Sequence, residues 1–505
     1  MRNIWGIITL LCAPFILFAQ VDYKKLDAYY EKAVKDWGVP SMSIGIVKDG
    51  KLVFSKGYGV LEVGKTAKPD ENTLYAIASI SKAFTAAAIA TLVQEGKLSW
   101  NDKVQKYLPY FELYDPYVSR EVTIRDLLSH RVGLGTFSGD VIWYKSDLTA
   151  EEIIKRLKYL PKSFDFRAGY GYSNVMYITA GEIITKITGK KWDDYIQEKF
   201  LTPLNMNRTV ASIHDLDKKG NYAMPHGMKD GKTVVIPWVS WDNTQAMGGL
   251  ISSVKDMSNW MIFNLNHGIW GKDTILTAAS RNIMWTPHSN FTVNQTDPKN
   301  PTHFNGYGLG WGLSDYYGRL RASHSGGYDG MLSLLNLIPD ENLGVIILTN
   351  GVKTPMSAVM NYTLDAFLKN PEKDWSAQGL QNWEKNQAND TRVSDRKKAR
   401  VLNTKPSLPL EQYAGTYYSD IYGNINITLV NNQFKLSFEH SPDLAATLRH
   451  WHYDVWEIVW DKPQAWFDFG TVKFNLDNNL KINGMDFDVP NDDFFFEEFK
   501  PRKVK

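Results

Sequence analysis

The sequence predicts an α/β domain, built as an antiparallel sheet with an inserted helical region, followed by a small all-β barrel domain. Three observations predict it. Asp49-Gly50 separates two β-rich runs near the start of the chain, and β-rich runs return between residues 309 and 349. The stretch between them reads mainly as helix. After Leu410 the pattern changes to short strands separated by turns.

The elements follow in order. Leu26 to Trp37 reads as a short amphipathic helix, and the runs Ser41–Lys48 and Lys51–Tyr58 form the hairpin closed by Asp49-Gly50. From Ser81 to Glu95 the chain is apolar nearly all round, which predicts a helix buried inside the domain, ended by Gly96. Helical patterns recur at Ile124–Ser129, Ala150–Tyr159, Val175–Thr188, Trp192–Phe200 and Val254–Leu265. Strands are expected near Leu309–Leu313, Arg319–His324, Met331–Ile338 and Leu343–Thr349, with Pro339–Asn342 as a turn, and then a helix from Pro355 to Leu368.

Strands at both ends of a helical segment imply a sheet assembled from distant parts of the chain, so the first domain is expected to span residues 21–370. Residues 371–406 are polar, with a basic run from Arg396 to Arg400, and read as a solvated linker that is partly helical. Residues 407–505 are expected to form a barrel or sandwich of about seven strands: Tyr413–Tyr418, Asn424–Val430, Gln433–Glu439, Thr447–Trp460, Phe469–Leu476, Lys481–Val489 and Phe494–Lys500.

Composition removes several classes of function. One cysteine in 505 residues excludes a disulfide scaffold, and 57 Lys+Arg against 55 Asp+Glu argue against a nucleic-acid partner. A chain that is 43% hydrophobic and 22% charged is not dominated by disorder. Residues 1–19 begin with Arg2, run through an apolar stretch and end at Ala19, the pattern of a secretory signal peptide. Two alternatives are weaker. A retained anchor is opposed by Pro14 and by the shortness of the apolar run, and a lipidated Cys12 is opposed by the preceding pair Leu10-Leu11. The protein is therefore expected to be exported, periplasmic or extracellular, with no transmembrane segment in the mature chain.

One turn stands out for its chemistry. Ser79-Ile80-Ser81-Lys82 sits where the chain enters the buried helix, so the lysine falls on the same helical face as the serine, within reach of its hydroxyl. A serine needs a neighbouring base to become a nucleophile, and a desolvated lysine can serve. Alone, Ser-x-x-Lys also reads as a capping serine followed by a solvent-facing lysine. Two further motifs follow along the chain, Tyr172-Ser173-Asn174 and His324-Ser325-Gly326-Gly327.

With these three motifs in this order, residues 25 to 365 resemble the penicillin-recognising serine hydrolases: class C β-lactamases, D-alanyl-D-alanine carboxypeptidases and the CubicO-group esterases and peptidases. Flanking segments at Thr123–His130, Met247–Ser253 and Tyr307–Trp311 share the likeness. The resemblance implies a β-lactamase/transpeptidase-like fold in which Ser79 is acylated, Lys82 and Tyr172 share its proton, and Asn174 bonds the substrate amide. It also implies a substrate-binding and oxyanion site at Gly326 and Gly327, with the N–H groups of Ser79 and Gly327 forming the oxyanion hole and His324 on an edge strand along which a peptide aligns. A tyrosine beside a lysine cation is expected to be biased toward phenolate. The tail resembles the small lipocalin-like barrel that follows the catalytic domain in some of these proteins, with gating, assembly and stabilisation open as its role.

Each residue also has a plainer reading: Tyr172 as a packed loop aromatic, Asn174 as a helix cap, His324 as a bonded strand histidine. Ser81 and His130 read as structural. The family's usual lysine at the position of His324 supplies a fixed cation for a substrate carboxylate, whereas a histidine is mostly neutral above about pH 6.5. Activity of the carboxypeptidase or esterase kind is therefore expected over strong β-lactamase activity. None of the ten histidines is followed by Glu, and neither a Gly-x-Ser-x-Gly elbow nor a phosphate loop is present, so no cofactor and no metal are expected. His450 and His452 share one strand face without a third ligand nearby. The expected partner is a small-molecule or peptide substrate, and no oligomeric state is assigned. The alternative of a different class is a catalytically silent envelope protein that binds penicillin or peptidoglycan.

Overall fold

A computed structural model describes residues 21–229, 231–293 and 302–504, so the expected signal peptide lies outside the described residues. The hairpin turns where it was expected. Asp49 and Gly50 take φ of 53° and 73°, the pair of positive angles that a two-residue turn needs, and join β1 (Ser41–Lys48) to β2 (Lys51–Gly59). The other strands of this sheet are β3 (Ser289–Asn290), β4 (Asn305–Tyr307), β5 (Gly312–Tyr316), β6 (Arg319–Tyr328), β7 (Met331–Ile338) and β8 (Leu343–Thr349). Their order is β2-β1-β8-β7-β6-β5-β4-β3, antiparallel throughout, with Met42 opposite Thr349. The two ends of the domain thus meet at its centre.

Both faces of the sheet are covered, which explains why its central strands read as continuous apolar runs. Val345 and Ile347 of β8 join the cluster under α1 (Tyr23–Trp37) and α5 (Met356–Leu368), whereas Ile346 and Leu348 face α2 (Ser81–Gln94) and α4 (Val254–Leu265). Each such side chain is worth roughly 1.5–3 kcal/mol on burial. Helix α2 is buried from Ser81 to Leu92 and stops before Gly96, at φ +69°. It packs against α3 (Asn174–Thr188), which Gly189 ends in the same way. Helix starts at Ile124 and Ala150 carry capping boxes from Thr123 with Asp126 and Thr149 with Glu152.

Three readings of this domain need correction. The strand expected at Leu309–Leu313 begins only at Gly312, because the chain turns at Gly310, φ +77°, where a Cβ would lie 2.7 Å from the Lys82 carbonyl oxygen. The helix at Trp192 runs to Ile196 and continues as one π turn to Leu201. Strand β6 is interior, flanked by β5 and β7, so His324 is not on the edge of the sheet. Pairing with β5 nevertheless stops at Ser323, and from His324 to Tyr328 only β7 is paired, which leaves a local open edge at the third motif.

The polar segment after residue 370 carries α6 (Trp375–Asn389) and α7 (Arg392–Lys398). Helix α6 docks through its first turn, where the Trp375 indole donates to Asp365 and that of Trp37 to Ser376, at 2.7 and 3.1 Å. The tail is a closed antiparallel barrel of eight strands, β9 (Gly415–Ser419), β10 (Gly423–Val430), β11 (Gln433–Phe438), β12 (Ala446–His452), β13 (Val455–Trp460), β14 (Thr471–Leu476), β15 (Ile482–Asp488) and β16 (Arg502–Lys503). The count exceeds the expected seven because Thr447–Trp460 is a hairpin, turned at Tyr453 with φ +45°, while Arg502–Lys503 takes the place of the last expected strand. Phe494–Lys500 is not a strand. Its aromatic run mimics one, but Phe496–Glu498 forms a 3-10 turn and Phe494, Phe496 and Phe499 are buried. The barrel interior is filled by Tyr413, Phe434, Trp456 and Phe474, with Tyr413 and Phe474 stacked edge-on against Trp456 at 4.7 and 5.1 Å.

Candidate active site

Ser79 lies in a 3-10 turn, Ala78–Ile80, that leads into α2. Ala78 takes φ +45°, a left-handed angle that costs about 1–2 kcal/mol in a non-glycine residue, as the chain swings from the short bridge at Tyr75–Ala76 into the helix. One turn on, Lys82 is fully buried, and its Nζ lies 3.1 Å from Ser79 Oγ, 2.7 Å from Asn174 Oδ1 and 2.6 Å from the Met247 carbonyl oxygen. The 3-10 turn supplies the serine, helix α2 the lysine and the start of α3 Asn174, and the Met247-Gly248 turn closes the site.

Asp140 completes this cluster, although nothing in the motifs pointed to it. Its Oδ2 accepts from Asn174 Nδ2 at 2.6 Å and its Oδ1 from the Trp143 indole at 2.8 Å. Burial pushes Asp140 up to about 8, against its two N–H donors, and pushes Lys82 down to about 7, opposed by the Asp140 carboxylate. Across the neutral range Lys82 therefore passes from ammonium to free amine. The available signal was an acid set in the apolar run Val141–Tyr144, since an isolated acid there must be buried and bonded. Replacing Asp140 by alanine should lower stability by roughly 1–3 kcal/mol, through two orphaned N–H donors.

Tyr172 places its hydroxyl in the same site without a hydrogen-bond partner among the described residues. Lys82 Nζ lies 4.9 Å from the centre of its ring. The expected bias toward phenolate is overturned. Burial pushes the Tyr172 hydroxyl well above its ordinary range, more strongly than the nearby Ser79 lowers it, and the same dry surroundings lower Lys82 to about 7, so its cation fades as pH rises through neutral. His130 is fully buried, and its Nδ1 accepts the Ser173 N–H at 2.9 Å, which pins the loop that carries Tyr172. Asn174 is the first residue of α3 with Ser173 as its cap; its Oδ1 accepts from Lys82, one N–H of its Nδ2 goes to Asp140, and it lines the cavity.

The third motif is a wall. His324 Nε2 lies 2.9 Å from the Tyr307 hydroxyl and its Nδ1 2.6 Å from the Ser325 carbonyl oxygen, which assigns the proton to Nδ1 and makes Tyr307 the donor to Nε2. Burial, with the charge of Lys82, pushes His324 down to about 3, so it brings no cation to the site. Gly326, expected at the substrate-binding site, lets β6 press on the segment before Ser79, since a Cβ there would overlap the Ile77 carbonyl oxygen and Ser333 Oγ. Gly327 does face the cavity.

That cavity, of about 260 Å³, is lined by Ser79, Tyr172 and His324, and also by Trp466, Asp493 and Phe494 of the barrel. The barrel grips the segment 138–147 that carries Asp140. Glu498 accepts from Ser138 Oγ and from the Gly139 N–H at 2.5 and 2.8 Å, His440 meets Asp147 at 2.8 Å, and the Phe494 ring lies 4.0 Å from that of Tyr144. No local pattern signals this contribution, because it joins residues far apart along the chain. His450 and His452, by contrast, bond to the Tyr453 carbonyl and the Val401 N–H.

An antiparallel sheet with a helical insert, and a Ser-x-x-Lys turn between the two, is the fold of the β-lactamases and transpeptidases. The chain belongs to the β-lactamase family of serine hydrolases: residues 26–369 match the family described as Beta-lactamase, and residues 399–502 match a domain of unknown function (DUF3471). It is 29% identical over 430 residues to Unguisins hydrolase ungD' of Aspergillus campestris (strain IBT 28561), covering 80% of this chain and 78% of that one. Its fold is similar to that of the octameric penicillin-binding protein homologue from Pyrococcus abyssi, with a TM-score of 0.61 at 23% identity over 93% of this chain and 98% of that one. A D-stereospecific amidohydrolase from Streptomyces sp. matches with a TM-score of 0.54 at 22% identity, over 67% and 98% of the respective chains. Among the described residues no helix is long and apolar enough to cross a membrane.

Proposed function

We propose that this chain is an exported serine hydrolase that acts through a Ser79 acyl-enzyme on peptide, amide or ester substrates. One observation carries the reading, the set of three contacts at Lys82 Nζ. A neutral amine has two N–H bonds and one lone pair; Asn174 Oδ1 and the Met247 carbonyl take the N–H bonds, and the lone pair is left for the Ser79 hydroxyl hydrogen. Ser79 Oγ bonds to the substrate carbonyl carbon as its proton passes to Lys82. Tyr172, kept protonated by burial, hands its proton to the leaving nitrogen or oxygen and recovers one from Lys82. The N–H groups of Ser79 and Gly327 receive the oxyanion, each such donor being worth roughly 10²–10³ in rate. Water then reverses the sequence and frees the acid.

The neutral His324 bears on the substrate, since no fixed cation awaits a β-lactam carboxylate. Peptidase or esterase activity fits the site better than strong β-lactamase activity. Similarity to a protein named a hydrolase, and to the fold of one titled an amidohydrolase, supports the amide and peptide side of this reading.

Purified mature protein and its Ser79→Ala variant, each treated with a fluorophosphonate and a fluorescent penicillin, test it by intact and peptide mass spectrometry. An adduct on Ser79 that the variant lacks supports the proposal; no adduct from either reagent on folded protein overturns it and favours a silent binding protein. Tyr172→Phe should slow acylation by about 10² while leaving the melting temperature unchanged, because the hydroxyl it removes bonds to nothing among the described residues.

A further inference from the structure

The cavity above Ser79 has a roof of its own chemistry. Among the described residues its lining includes no lysine or arginine side chain, and its one histidine is His324. Two carboxyls face it, Asp140 and Asp493. Those of Asp140 are spent, one oxygen on Asn174 and the other on Trp143. Asp493 is different. It stands on the loop between β15 and β16, where its own N–H donates to Asn491 Oδ1 at 2.9 Å, and its partly buried carboxylate has neither a hydrogen bond nor a cation among the described residues. The neighbouring Asp492 is exposed and paired with Arg392 at 2.7 Å, so the loop neutralises the acid that faces solvent and not the one that faces the cavity.

The remaining walls point the same way. Trp143, Trp241, Trp466 and Phe494 give aromatic faces that suit both an apolar side chain and a cation. The Trp241 indole N–H, on a residue only 6% exposed, and the Tyr172 hydroxyl have no partner among the described residues. A ligand that satisfies this lining carries a positive charge for Asp493 and an oxygen acceptor close by, on an apolar body. An α-ammonium beside a carbonyl meets all three demands.

We infer that Asp493, carried into the cavity by the barrel, is a recognition site for the free ammonium group of an aminoacyl substrate with an apolar or aromatic side chain. The inference rests on Ser79 being the nucleophile and names which acyl compounds reach it. It also assigns the barrel a part in substrate choice, with Trp466 and Phe494 flanking the acid. A desolvated ammonium–carboxylate contact is a charge-assisted bond, strong enough to separate an amine from its acetylated counterpart by about tenfold or more.

The test compares phenylalanine p-nitrophenyl ester with its N-acetyl counterpart, in both enantiomers, by kcat/KM at pH 7.5 on the full mature chain. A fluorophosphonate label on Ser79 is run in parallel. The expected result is a preference of at least about tenfold for the free amine in one enantiomer, falling toward one in Asp493→Asn, partly restored in Asp493→Glu and retained in Asp492→Asn. Matched melting temperatures show that the variants are folded. A ratio near one in the unmodified protein, a ratio unchanged in Asp493→Asn, or an equal loss in Asp492→Asn overturns the inference while leaving the nucleophile intact. Absence of the fluorophosphonate label overturns the nucleophile, and the inference with it.

Discussion

Lys82→Met should slow acylation of Ser79 by about 10⁴ at pH 8, the upper range for loss of a positioned general base. Methionine fills nearly the same volume without a nitrogen, so Ser79 keeps its place in the turn before α2 and loses only the acceptor for its proton. The unmodified protein should show acylation rising about tenfold per pH unit below its midpoint and levelling above it. The sign follows from the chemistry: the ammonium has no lone pair, burial lowers the lysine to about 7, and the reactive form grows as pH rises through that value. In Lys82→Met this rise should vanish. A pH-independent rate in the unmodified protein, or a steep rise that survives in the variant, would assign the proton to another group. Fluorophosphonate labelling followed by intact mass spectrometry across pH 5–9 reads both outcomes.

Gly326→Ala should be the most damaging single methyl in the site. The added carbon would overlap the Ile77 carbonyl oxygen and Ser333 Oγ, and the first of these is backbone and cannot rotate away. Strand β6 and the segment before Ser79 must separate, at a cost of about 3 kcal/mol, the upper end for overpacking. Because Ile77 leads directly into the serine turn, the displacement should also slow acylation, by about 10² for a shift near 1 Å. Gly327→Ala is the control. Its Cβ would stand 3.2 Å from the far end of the Trp466 ring, a neighbour that can yield, so its melting temperature should fall much less. Comparable melting temperatures for the two variants would contradict the packing argument.

Local chemistry made much of this molecule legible in its sequence. Asp49-Gly50 needs nothing beyond its own φ preferences to mark a hairpin, and the apolar surface of α2 can only be buried. Ser79 and Lys82 meet because one helical turn brings them together. What failed to show was set by distant parts of the chain. Tyr172 reads as a phenolate beside a cation until its surroundings are known to be dry enough to keep its hydroxyl protonated and to lower the lysine to about 7. His324 reads as an edge residue because the interior place of β6 depends on β5, which pairs with only half of it. The aromatic run at Phe494 has the composition of a strand and the job of a plug, and no local signal carries Asp493 to a serine encoded more than 400 residues earlier.

The register that sets Met42 against Thr349 also has a consequence in time. A ribosome adds roughly 5–20 residues per second, so β1 waits on the order of 15–60 seconds for the strand that will cover its second edge. Until then the hairpin is an isolated pair, marginal by itself, with apolar side chains on both of its faces. The sheet cannot close early. Through most of its synthesis β1 therefore keeps an unpaired edge that could pair with a neighbouring copy.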